Sequence, residues 1–108
     1  MLKYIDVIPA KETVAQGESL NLLGGVANDG PACAADIAVW GNAGDGWRAV
    51  VTRRLDIVAG EHRHLYFTLT PELFAPDRWG GEAPEELELI ISHEKPRDGA
   101  RGKLVFID

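Results

Sequence analysis

Hydrophobic and polar positions alternate with a period of two along most of this chain, and clusters of turn-forming residues interrupt the alternation at short intervals. The clearest stretch sets Leu65, Phe67 and Leu69 on one side and His64, Tyr66, Thr68 and Thr70 on the other, which predicts a strand with one buried face. A second strand sets Leu20, Leu22, Gly24 and Val26 against Asn21, Leu23, Gly25 and Ala27. It is opened by Gly17-Glu18 and closed by Asn28-Asp29-Gly30-Pro31. The pair Gly24-Gly25 inside it predicts a bulge or a close crossing of another backbone. Ala35, Ile37 and Val39 predict a strand ending at Trp40, followed by a glycine-rich hairpin loop over Gly41 to Gly46.

Trp47 restarts extended chain. From Arg48 to Val58, Ala49, Val51, Arg53, Leu55 and Ile57 share one side while Val50 and Val58 fall on the other, which predicts a register change near Thr52 to Arg54. Tyr4 to Pro9, continued by Lys11 to Val14, reads as an edge strand interrupted by a proline that cannot donate to a ladder. Pro71 to Gly81 reads as a connection with one helical turn at Pro71 to Phe74. Leu87, Leu89 and Ile91 predict a sixth strand, and Lys103 to Ile107 a seventh after the turn Pro96-Arg97-Asp98-Gly99.

About seven short strands with regular turns predict an all-β fold, an immunoglobulin-like antiparallel β-sandwich forming a single domain over residues 1–108. A chain of that length buries one continuous core. Its expected members are Leu22, Val26, Ile37, Val39, Leu65, Phe67, Leu69, Leu87, Leu89, Ile91 and Phe106.

Charge narrows the partners. Seventeen acidic residues against eleven basic ones give a net charge of -6, which repels phosphate backbones and anionic lipid surfaces. The basic groups Arg53-Arg54 and Lys95, Arg97, Arg101 and Lys103 lack the interleaved aromatics of single-strand binders, so no nucleic acid is expected. No apolar span is long enough to cross a membrane, and Met1 to Asp6 lacks a signal-peptide pattern. The expected compartment is extracellular or the cell surface if the segment is excised from a larger protein, and the cytoplasm if it stands alone. The single cysteine, Cys33, excludes an internal disulfide and is expected as a small buried residue.

Three groups of residues carry candidate chemistry. Trp40, Trp47 and Trp79 flank glycine-rich loops and, with Tyr66, are candidates for stacking on a sugar or a peptide, against a reading in which indoles cap the core from its rim. His62 and His64 lie two apart on a strand, so both imidazoles share a face, as a metal pair requires. A third ligand such as His93, Glu61 or Glu94 is not placed by any motif. Asp77, Glu82, Glu85, Glu86 and Glu88 form an acidic stretch without the spacing of a calcium loop, and a solvated surface explains them equally well. No phosphate loop, nucleophile elbow or selected triad is present, so neither catalysis nor a cofactor is expected.

The residues Val26-Ala27-Asn28-Asp29-Gly30, followed by Ile57-Val58-Ala59-Gly60-Glu61 and Leu65-x-Phe67-Thr68-Leu69, resemble the CARDB family of bacterial cell-adhesion-related domains with an immunoglobulin-like fold. The resemblance spans roughly residues 10 to 70. It implies a non-catalytic spacer or protein-interaction module of a bacterial surface or secreted protein. The chain departs from the family pattern in its last two strands, which lack an acidic and asparagine-rich signature. Two other readings compete: a carbohydrate-binding domain using the loop tryptophans and the His62/His64/Tyr66 face, and a stand-alone protein that forms weak homo-oligomers through an edge strand near residues 4 to 14 or 48 to 58.

Overall fold

Alternating side chains give each strand one apolar face, and two sheets bury those faces against each other in the computed structural model, which describes residues 2–9, 13–96 and 102–107. The strands are β1 (Leu2–Pro9), β2 (Thr13–Ala15), β3 (Leu20–Asn28), β4 (Cys33–Asn42), β5 (Trp47–Ile57), β6 (His62–Leu69), β7 (Glu86–Ser92) and β8 (Gly102–Ile107). One sheet has the order β1-β3-β6, the other β2-β8-β7-β4-β5. Among the described residues all pairings are antiparallel except that of β2 with β8. The fold is an immunoglobulin-like β-sandwich. No helix among the described residues is long and apolar enough to cross a membrane.

The N-terminal segment behaves differently from one interrupted edge strand. β1 pairs with β3 in the first sheet, whereas the three residues of β2 run parallel to β8 in the second. The segment thus changes sheets after Pro9, the last residue of β1. Residues 11 and 12 of the expected second half lie outside the described residues, as do residues 97–99 of the expected turn and the basic residues Arg97 and Arg101.

The inward sets on β3, β4, β6 and β7 are those the alternation predicts. Leu22, Val26, Ile37, Val39, Leu65, Phe67, Leu69, Leu87, Leu89 and Ile91 are buried in one cluster, with Phe106 partly buried at its margin. Val14, Leu20, Val50, Ile57, Phe74 and Trp79 complete it. Gly24 is a close crossing: a Cβ placed there would lie 2.0 Å from Ile91 Cδ1 of the opposite sheet. Only a residue without a side chain lets the sheets approach so far at this point.

On β5 the register shift falls earlier than the pattern suggests. Val39 pairs with Val51 but Trp40 with Ala49, leaving Val50 as the extra residue of a bulge. The bulge turns Val50 into the core and Ala49 out to solvent. Cys33 is exposed rather than buried. It has inward parity but is the first residue of β4, where the sandwich no longer covers it.

The connection from β6 to β7 contains two short 3-10 helices, Pro71–Phe74 and Pro76–Arg78, each started by its proline. They deliver Phe74 and Trp79 to the end of the sandwich. There the two rings stack at 6.3 Å, and Phe74 meets Phe106 at 4.9 Å.

Candidate functional site

The two turn motifs of the sequence meet in space. Asn28 ends β3 and is only 2% exposed. Its Nδ2 donates to the carbonyls of Pro31 at 3.0 Å, Ile57 at 3.3 Å and Val58 at 3.2 Å, and its Oδ1 accepts the Gly30 N–H at 3.0 Å. Its backbone N–H donates to the Glu61 carbonyl at 2.9 Å, while the Gly60 N–H donates to the Asn28 carbonyl at 2.8 Å. One side chain thus ties the β3–β4 connection to the β5–β6 turn and satisfies the buried Ile57 carbonyl together with partly buried backbone groups of both turns. Gly60, at φ +76°, occupies the left-handed conformation that the turn needs.

Glu61 extends this lock. Its carboxylate accepts the Val58 N–H at 2.9 Å and Arg63 Nε at 2.8 Å. The Arg63 bond, reinforced by the Val58 N–H, holds the Glu61 carboxyl below the usual carboxylate range. Arg63 Nη2 then donates to the Asp56 carbonyl at 2.9 Å, crossing from β6 to β5. In the reverse direction Arg53 of β5 donates to the Tyr66 carbonyl at 2.9 Å and lies over the Phe67 ring, 4.4 Å from its centre. Both arginines have inward parity on the outermost strands of their sheets. They close that side of the sandwich and occupy carbonyls an incoming strand would need. The interruption of an apolar series by Arg53 was the sequence signal for this arrangement.

The three tryptophans separate. Trp79 is 7% exposed, and its Nε1 donates to the Leu73 carbonyl at 2.9 Å, so it caps the core. Trp40 and Trp47 are partly exposed, and their pairing partners place both on the outer face of the five-stranded sheet. Tyr66, 68% exposed, lies on the outer face of the other sheet with His62 and His64. The histidines share a face as their spacing predicts. Among the described residues no group of three or more His, Cys, Asp or Glu side chains is placed to hold a metal.

The acidic stretch lines one end of the sandwich. Glu82, Glu85 and Glu86 border a cleft of about 550 Å3 that also includes Asp45 and Trp79. Asp45 is paired with Arg48 at 2.9 Å. Asp77 lies on the second 3-10 helix. At the opposite end Tyr4 and His93 form a cluster that periodicity does not reveal. The Tyr4 hydroxyl accepts the His93 backbone N–H at 3.0 Å and is hydrogen-bonded to His93 Nδ1. Burial pushes the Tyr4 phenol up to about 12. His93 Nε2 is 3.6 Å from Glu94 Oε1, and the two Tyr4–His93 bonds hold β1 to the end of β7.

No protein-family model matches this chain, and no curated protein matches it. Solved structures share its fold. A β-glucosidase of Erythrobacter marinus superposes with a TM-score of 0.78 at 14% identity, over 99% of this chain and 15% of that one. A β-glucosidase of Listeria innocua, solved in complex with gluconolactone, gives a TM-score of 0.70 at 18% identity, over 98% of this chain and 16% of that one. The same enzyme with glucose gives 0.69 at 16% identity, with 97% and 16% covered. The chain thus spans about 15–16% of the length of these solved chains.

Proposed function

We propose that this chain is a non-catalytic β-sandwich module that serves as a spacer or protein-interaction unit of a longer bacterial surface or secreted protein. One observation carries the reading. Nearly the whole chain superposes on a segment making up 15–16% of much longer chains from two bacteria, so in those chains this fold is one part among others. Such likeness does not transfer the activity in those enzymes' names. The CARDB-like motifs point the same way, and their residues are tied into the scaffold: Asn28 and Gly60-Glu61 hold two turns together. The inward arginines Arg53 and Arg63 oppose strand addition at β5 and β6, which favours contact with partners through faces and ends rather than through those edges.

Incubation of the purified chain with p-nitrophenyl β-glucoside tests the non-catalytic part. No turnover above the buffer rate is expected. Turnover that survives repurification and rises in proportion to protein concentration overturns the reading.

A further inference from the structure

The outer face of the five-stranded sheet carries a feature that neither the core nor the turn lock explains. Trp40 on β4 pairs with Ala49 on β5 and Ile90 on β7, so three apolar residues form one row across three strands. In the adjacent row Asn42 lies between Trp47 and Glu88. Cross-strand partners share a face, so the residues Trp40 and Trp47 are diagonal neighbours across β4 and β5, about 7–8 Å apart at their backbones. Trp40 Nε1 donates to the Ser92 carbonyl of β7 at 3.1 Å, which draws the indole across the sheet instead of standing it away.

At the Asn42–Glu88 end this face opens into a cleft of about 280 Å3 lined by Asn42, Ala43, Gly44, Glu86 and Glu88. Asn42 Oδ1 accepts the N–H groups of Gly44 at 2.7 Å and Gly46 at 3.3 Å. Those bonds fix the amide, and among the described residues no acceptor is bonded to its Nδ2. The platform therefore joins aromatic rings to an oriented donor and, on the neighbouring strand, a carboxylate acceptor.

We infer that this face binds a neutral saccharide chain, with sugar rings stacked on Trp47 and Trp40 and one ring seated in the cleft against Asn42 and Glu88. The C–H face of a pyranose is apolar and weakly positive, which matches the negative face of an indole. Its hydroxyls both donate and accept, which matches an amide N–H beside a carboxylate. Charge selects among occupants. The net charge of -6 and the Glu88 carboxylate at the cleft oppose a polyanion, and two copies each carrying that net charge repel one another. A neutral polyhydroxylated chain meets neither penalty. The inference goes beyond the module reading, since a chain that stands alone presents the same face.

Affinity electrophoresis through gels containing barley β-glucan, xylan or galactomannan tests it. The wild-type chain is expected to be retarded by at least one of the three. Trp47→Ala, at the partly exposed start of β5, weakens that retardation about tenfold, and Glu88→Gln weakens it without removing an aromatic ring. Tyr66→Ala, on the opposite sheet, leaves it unchanged. Absence of retardation in all three gels overturns the inference. So does retardation that Tyr66→Ala abolishes and Trp47→Ala spares, or self-association in sedimentation that Trp47→Ala removes while no polysaccharide retards the protein.

Discussion

Removal of the Asn28 amide tests the turn lock directly. Its Nδ2 protons serve three carbonyls, at 3.0, 3.3 and 3.2 Å, and its oxygen serves the Gly30 N–H at 3.0 Å. At about 1 kcal/mol net per hydrogen bond, and with the Pro31 and Val58 carbonyls close enough to the surface to regain water, Asn28→Ala costs about 2–4 kcal/mol. Urea unfolding followed by tryptophan fluorescence reads this as a lower midpoint at unchanged slope. The melting temperature falls by about 10–20 °C. Asn28→Asp keeps the shape but turns a carboxylate toward three carbonyls, so at neutral pH it is the more damaging change. The sign of its pH dependence is fixed. A carboxyl in that site has a folded pKa above the unfolded value of about 3.9. Its protonated form is therefore favoured by folding, and stability present below that value is lost as pH rises through the folded pKa. The Asp variant should approach wild type in acid and fall away toward neutral pH. An Ala variant within about 0.5 kcal/mol of wild type, or an Asp variant parallel to wild type at every pH, refutes the lock.

The remaining predictions concern the core, the turn and the edges. Gly24→Ala forces a methyl group onto Ile91 Cδ1 and should cost about 1–3 kcal/mol. Adding Ile91→Val, which deletes that atom, should recover part of the loss in chemical denaturation, and additive costs would contradict the close crossing. The Glu61 carboxyl is held below its ordinary value of 4.5, so its contribution is present above that pH and is lost as pH falls through the folded pKa. Glu61→Gln should therefore be less stable than wild type at pH 7 and converge with it in acid, as read by thermal melts across pH. Arg53→Ala combined with Arg63→Ala uncovers carbonyls on β5 and β6 and should raise self-association in sedimentation velocity. Unchanged monomer content at high concentration counts against the capping role.

Much of this fold is legible because a half-buried strand writes its two faces into alternate letters. Leu65, Phe67 and Leu69 fall inside and His62, His64 and Tyr66 outside, as period two requires. The pattern breaks down where geometry departs from that period. A single extra residue, Val50, inverts the phase of β5, and the apolar letters around it do not show on which side the insertion lies. Parity also says nothing of how far a strand extends beyond its cover, which is why Cys33 is exposed. Sites depend on pairings distant in sequence. Trp40 and Trp47 share a face only because the β4–β5 register brings them together, and Trp79 is taken into the core by two 3-10 turns. Asn28 and Glu61 each look like ordinary turn residues, and their partnership appears only when the two turns meet.

The module reading rests most directly on the size of the natural gene product. An antibody raised against this domain, used on a denaturing blot of cells that express the protein and of their culture medium, should detect a band several times larger than 108 residues account for. Detection of the 108-residue mass alone, in the cell interior and without a larger precursor, contradicts it.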